Sequence, residues 1–266
     1  MLLFIYIFLL GLVVGSFANV VIYRVPRGWG IFWGRSACPN CRKKISWHDL
    51  IPVVSFFLLK AQCRQCRQPI SWLYPAVELY SGTIFLLSFY FTNRAGVVDW
   101  LFTVFILESL FILALIDLKN FILPDSIMIV MIFGVLWYGI FEQVFSGYGF
   151  NIFSFNNFIG AAVLFSAFFL LWFLSRGTWL GLGDAKLAGL IGLIFGLWGG
   201  LIIIYGAIIA GTVAGLVLLA SYRANLKTKL PLGTFISFSA TAYIFLGQGI
   251  LEKIKPLFFS VPFILK

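Results

Sequence analysis

Two aspartates and four cysteines are the side chains of this sequence whose types and spacing could do chemistry together. Asp117 closes an apolar run in Leu115-Ile116-Asp117-Leu118-Lys119, and Asp184 stands in Gly181-Leu182-Gly183-Asp184-Ala185-Lys186. Two carboxylates facing each other in a low dielectric cannot both ionise readily, so such a pair shares a proton. The ionised member can take a proton from water while the protonated member polarises a carbonyl, which equips a site for peptide hydrolysis. Gly181 and Gly183 lack side chains and let a substrate backbone or a neighbouring helix come close. A third acid, Asp125, follows Leu123-Pro124 and suits a helix N-cap, a structural use that Asp184 fits in part. Asp117 fits it least, because a carboxylate at a helix C-terminus opposes the helix dipole. His48, the single histidine, lies far from all three in sequence and reads as a surface residue, so a Ser/His/Asp arrangement is not expected.

The cysteines form two pairs, Cys38-Pro39-Asn40-Cys41 and Cys63-Arg64-Gln65-Cys66. Each CxxC makes a knuckle whose thiolates can point at one ion, and two knuckles complete the tetrahedral sulfur shell that suits zinc. Free or redox-active thiols are the other reading. A four-cysteine shell leaves no position open for water, so the zinc expected here is structural and folds its own segment.

The elements that carry these residues are set by composition. Of 266 residues 62% are hydrophobic and only 11% charged, far from the balance of a water-soluble domain. Lipid is the solvent such a chain requires. Hydropathy places about eight apolar segments, near 1–23, 74–92, 97–116, 125–145, 157–175, 186–199, 200–221 and 232–250. The sixth and seventh meet at Gly199-Gly200. The net charge of +10 falls mainly in short loops between them. That pattern reads as cytoplasmic loops in a membrane protein rather than as a nucleic-acid surface. Threaded alternately, with the N-terminus outside, the chain puts most basic residues into cytoplasmic loops at 24–73, 117–124, 176–185 and 222–231. Asp117, Asp125 and Asp184 then share the cytoplasmic boundary, while Glu142 and Asp99 lie toward the outer one. Ionisable residues at membrane depth are costly and are functional candidates by default. Spacing alone leaves three readings open: an acid-based membrane enzyme, an ion or proton transporter using buried acids, and a scaffold with a zinc module. The transporter predicts acids near the midplane, whereas the best acids here gather at one boundary.

Five motifs in one order carry a resemblance. Gly15-Ser16-Phe17-Ala18-Asn19-Val20-Val21-Ile22-Tyr23-Arg24 is similar to the N-terminal signature of the type IV prepilin peptidases. The paired knuckles follow with Ile51-Pro52 between them. Tyr74-Pro75-Ala76-Val77-Glu78 resembles the family's second-span opening, and Asp117 through Asp125 and Gly181 through Lys186 resemble its two aspartate motifs. A weaker echo stands at Pro231-Leu232-Gly233. The resemblance implies an intramembrane aspartyl endopeptidase of the inner membrane that removes the basic leader from type IV prepilins or pseudopilins. It implies Asp117 and Asp184 as the catalytic pair. It also implies N-methylation of the new N-terminus with S-adenosylmethionine, since family members with the cysteine insert usually have that activity. For the methyl donor it offers only Glu78 and the Gly15–Arg24 stretch as candidates.

The sequence thus predicts an all-α polytopic membrane protein. It comprises a first transmembrane helix at 1–23, a zinc-stabilised cytoplasmic insert at 24–73, a peptidase bundle at 74–250 and a tail at 251–266. Its partners are prepilin or pseudopilin substrates and membrane lipids, not nucleic acid.

Overall fold

The computed structural model describes residues 2–31, 34–92, 96–146, 154–221 and 229–258, with side chains as far as 247. Expectations that fall on Arg94, Arg223, Lys227 and the end of the tail at 259–266 lie outside the described residues. Among those described there is no strand. The elements are α1 (Leu2–Arg24), α2 (Val54–Leu58), α3 (Leu73–Thr92), α4 (Val97–Asn120), α5 (Asp125–Phe141), α6 (Phe155–Leu174), α7 (Leu182–Ala220) and α8 (Leu232–Phe258). Among the described residues five helices, α1, α4, α5, α6 and α7, are long and apolar enough to cross a membrane. The chain forms two compact units that divide inside α4, after Ile112.

In the first unit α1 lies along α3. Gly11 and Gly15, four residues apart on one face of α1, meet Gly82, Ser81 and Glu78 of α3 so closely that a Cβ on Gly11 would sit 2.7 Å from the Gly82 Cα. Small residues at such spacing let two backbones approach where lipid supplies no hydrophobic drive. Glu78, Ser81 and Ser88 of α3 are all buried, which gives this helix a polar inner face. It is also not among the five most apolar helices, although the sequence places a span there. Ile7, Phe85, Trp100 and Val104 form the packed cluster at the other end, with Trp100 Nε1 donating to Ser88 Oγ at 3.1 Å.

In the second unit α7 keeps the two expected apolar segments and moves the break between them by three residues. The two apolar segments expected at 186–199 and 200–221 arrive as one stretch of 39 residues, broken not at Gly199-Gly200 but at Gly196, with φ 70° and ψ −177°. A straight helix of that length would reach about 58 Å, nearly twice the hydrocarbon core. The stretch instead folds back. A Cβ on Gly200 would lie 3.4 Å from the Gly192 Cα, although eight residues of straight helix span about 12 Å. Only glycine readily adopts the Gly196 conformation. The first arm runs beside α6, where Asn157 Nδ2 donates to the Leu193 carbonyl at 2.8 Å and Phe165 packs on Gly189. The second arm runs beside α8, where Ser239 Oγ donates to the Ile203 carbonyl at 2.8 Å.

Candidate active site and metal centre

The site in the second unit is assembled from three helix ends. Asp117 sits in the last turn of α4 and is 5% exposed. Asp184 sits in the first turn of α7, where it accepts the Gly181 N–H at 3.2 Å while its own N–H donates to the Gly181 carbonyl. The beginning of α8 completes the group. The Thr234 main-chain N–H donates to Asp117 Oδ2 at 2.8 Å, and the Thr234 hydroxyl lies 3.2 Å from the same oxygen. The Gly233 N–H faces both Asp117 and Asp184, and the charge of Asp117 acts on Asp184. The two aspartates that the sequence singled out are therefore brought together, across one glycine amide. That glycine has no room to be anything larger. A Cβ there would meet Leu123 Cδ1 at 2.8 Å and Asp117 Oδ2 at 3.0 Å.

A carboxylate at the C-terminal end of α4 is opposed by that helix, but the N-terminal end of α8 is presented to it and supplies donors. Sequence reasoning missed Thr234 altogether and touched Gly233 only through a weak echo. The available signal was Pro231 before a helix start, which marks an N-terminus but not what it faces.

Asp125 departs from its expected role. It is exposed, Pro124 occupies the N-cap position of α5, and no side-chain cap forms. Its carboxylate instead accepts from Lys186 Nζ at 2.7 and 2.9 Å, so the pair joins the two aspartate motifs.

The first unit holds the cysteines. The four sulfurs all lie within 4.8 Å of one another, with Cys38 Sγ and Cys66 Sγ 3.8 Å apart. Zinc–thiolate bonds of about 2.3 Å give a tetrahedral edge of about 3.8 Å. The cluster could therefore hold a zinc ion, and the residues fit one. The two knuckles repeat one backbone pattern. Cys38 N–H donates to Lys43 and Arg42 N–H to Cys38, while Cys63 N–H donates to Gln68 and Arg67 N–H to Cys63. One antiparallel bridge closes each, Ala37 with Lys44 and Gln62 with Pro69. Arg42 and Arg67, each just after the second cysteine, take the left-handed turn at φ 55° and 54°. The close thiols titrate as one set, with Cys66 lowered to about 6, chiefly by the Gln68 N–H, and Cys41 raised to about 11, its hydrogen bond from the Lys43 N–H being outweighed by burial and the Cys38 and Cys66 thiols. Asp49 braces the module by accepting from Arg64 at 2.7 and 2.9 Å. The Arg64 guanidinium holds the Asp49 carboxyl below the usual carboxylate range. His48 is exposed on a short 3₁₀ turn and is not part of the sulfur cluster.

Between α1, the foot of α3 and this module lies a cavity of about 1220 Å³, lined among others by Ser16, Asn19, Tyr23, Trp29, Tyr74 and Glu78. Asn19 Nδ2 donates to the Tyr74 carbonyl at 3.1 Å. Glu78 Oε2 accepts the Val53 N–H at 2.7 Å, which pins a turn where Val53 has φ 60°, an uncommon conformation for a β-branched residue. Arg24 ends α1 with its guanidinium directed at the carbonyls of Gly30, Ile31, Gly34 and Arg35. The residues suit a methyl donor such as S-adenosylmethionine: the volume is ample, Tyr23, Trp29 and Tyr74 offer ring faces, and Glu78 offers a carboxylate for a cationic sulfur.

Apolar helices, a four-cysteine module and paired aspartates together define a multi-pass membrane protein with a candidate hydrolytic site. Comparison with known proteins narrows this class. Residues 9–92 match the bacterial peptidase A24 N-terminal domain, and residues 102–216 match the type IV leader peptidase family. A prepilin leader peptidase/N-methyltransferase of Myxococcus xanthus is 36% identical over 233 residues, covering 85% of this chain and 66% of the relative. Proteins of the same name from Klebsiella pneumoniae and Neisseria gonorrhoeae are 35% and 30% identical. They cover 70% and 79% of this chain, and 82% and 80% of the respective relatives. No solved structure matches. The chain belongs to the type IV leader peptidase family, and its helices and family fit a multi-pass protein of the inner membrane.

Proposed function

We propose that this protein is an intramembrane aspartyl endopeptidase that removes the basic leader peptide from type IV prepilins or pseudopilins. Asp117 and Asp184 are its catalytic pair. The observation that carries the reading is the meeting of these two carboxylates, from α4 and α7, at the Gly233 amide. The relatives' shared name, prepilin leader peptidase/N-methyltransferase, points to the same substrate class. In this reading the ionised carboxylate takes a proton from water as the water attacks the scissile carbonyl, and the protonated one donates to the carbonyl oxygen. The transporter reading, open on composition alone, finds no support in the family.

The second activity is N-methylation of the new N-terminus. The cavity beside Glu78 and Asn19 is the proposed place for S-adenosylmethionine, which when bound supplies an electrophilic methyl group. Asn19, Glu78 and the aromatic rings would hold it, and the zinc module shapes the cavity wall. Topology completes the reading: the N-terminus is outside, and the cysteine insert and the aspartates face the cytoplasm. The excess of basic residues in the same loops supports it.

Co-expression with a prepilin-type substrate tests the function, with leader removal followed by gel shift and mass. Asp117→Asn and Asp184→Asn are expected to abolish cleavage, while Asp125→Asn, an exposed residue that pairs with Lys186, retains it. A mature product heavier by the mass of one methylene reports methylation. Cleavage that persists in Asp117→Asn or Asp184→Asn would overturn the pair.

A further inference from the structure

The start of α8 does more than close the bundle. Two groups of Thr234 converge on one atom. The Thr234 N–H donates to Asp117 Oδ2 at 2.8 Å, and the Thr234 hydroxyl reaches the same oxygen at 3.2 Å. That hydroxyl also lies 3.0 Å from the Ala114 carbonyl, one helical turn before Asp117 on α4. Both Thr234, 3% exposed, and Asp117 are buried. The single proton of that hydroxyl is shared between two acceptors, the Ala114 carbonyl at 3.0 Å and Asp117 Oδ2 at 3.2 Å, which ties the carboxylate to the helix beneath it. Asp184 has a different anchor, the Gly181 N–H of its own helix end.

We propose that Thr234 is the positioning residue of the aspartate pair, fixing Asp117 through Oδ2 so that its other oxygen meets the attacking water. The main-chain N–H groups of Thr234 and Gly233 can only donate, and they suit a carboxylate that accepts and is not itself protonated. Asp117 is then the member that receives the proton of the water, and Asp184 the member that presents a proton to the carbonyl. The proposal rests on the reading of Asp117 and Asp184 as the peptidase pair. Fixing a reacting group in place acts on turnover rather than on the affinity for a long substrate held elsewhere.

The test uses the full-length enzyme in detergent or vesicles with a prepilin-type substrate, comparing wild type, Thr234→Val, Thr234→Ser and Asp117→Asn. Thr234→Val keeps shape and main-chain N–H but removes the hydroxyl. It is expected to lower kcat by about tenfold or more with KM within about twofold, the scale of one hydrogen bond to a charged group. Thr234→Ser, which restores the hydroxyl, should return kcat to within a few-fold of wild type. A thermal unfolding midpoint close to wild type shows that the valine variant is folded, and if it is not, Thr234→Ala makes the same comparison. Full turnover in the variant lacking the hydroxyl overturns the proposal. So does a change confined to KM, or a serine variant as slow as valine. A wild type that cleaves nothing, or an Asp117→Asn that still cleaves, overturns the peptidase reading instead, and the two failures are thereby told apart.

Discussion

At the scale of single residues, the chemistry turns on contacts that tolerate little displacement. Gly233 is the sharpest case, because any side chain there must push either Leu123 or the Asp117 carboxylate. Gly233→Ala is therefore expected to lower cleavage by more than about tenfold, since a shift of about 1 Å in a reacting group can cost a hundredfold. The proposed methylation of an already cleaved substrate, assigned to the cavity of the first unit, should be unaffected, and mass analysis of the two products separates the effects. The Asp49–Arg64 pair gives a second residue-scale expectation. Arg64 first through its hydrogen bonds, and then by its charge, depresses the folded carboxyl below its ordinary value of 3.8. A depressed carboxyl contributes stability above its unfolded value, and that contribution is lost as pH falls through the folded one. Arg64→Ala should return the Asp49 titration toward 3.8 and remove this acid-side loss. Carboxyl NMR shifts followed from neutral to acid pH would measure it.

Among the elements, the cysteine module and the α7 hairpin depend on different devices. The module has two single-bridge knuckles and little buried apolar surface of its own, with Cys38 and Phe56 its few buried apolar side chains. Under the zinc proposal, metal binding supplies its folding energy. Strong chelation, or Cys38→Ser with Cys63→Ser, should make the segment between residues 36 and 70 sensitive to protease, and elemental analysis should show zinc lost in step. The hairpin depends on Gly196, whose left-handed φ no β-carbon suits and whose Cβ would strike Asn156. Gly196→Ala should destabilise the protein by about 1–3 kcal/mol, visible as a lower unfolding midpoint in detergent. An unchanged midpoint would mean that α7 does not turn there.

For the whole molecule the issue is how the chain lies in the bilayer. Lys and Arg concentrate in the cysteine insert and in the short loops near both aspartate motifs, and the positive-inside rule is the ground for the proposed cytoplasmic placement of these loops. A reporter that is active only in the cytoplasm, fused after residue 60, should be active. One active only outside, fused at the same place, should be silent. The opposite result would reverse the orientation of every helix and move the aspartates to the outer boundary.

Some of this was fixed by the amino-acid sequence alone. An all-helical membrane protein follows from composition, because a backbone in lipid must satisfy its own hydrogen bonds. The clustering of the four cysteines follows from two CxxC pairs, since the spacing within each pair is local and survives any tertiary arrangement. Asp117 and Asp184 could be singled out because a carboxylate at a bilayer edge is costly and stands out in an apolar chain. Tertiary structure alone decided the rest. It alone put Thr234 and Gly233 against Asp117, because a helix start tells nothing of which distant helix end it will meet. It gave Asp125 to Lys186 instead of to a cap, since an acid near a helix start can serve either partner. And it turned α7 at Gly196 rather than at Gly199-Gly200, because hydropathy sees only apolar length, while the reversal sits at a glycine with a positive φ packed against Asn156.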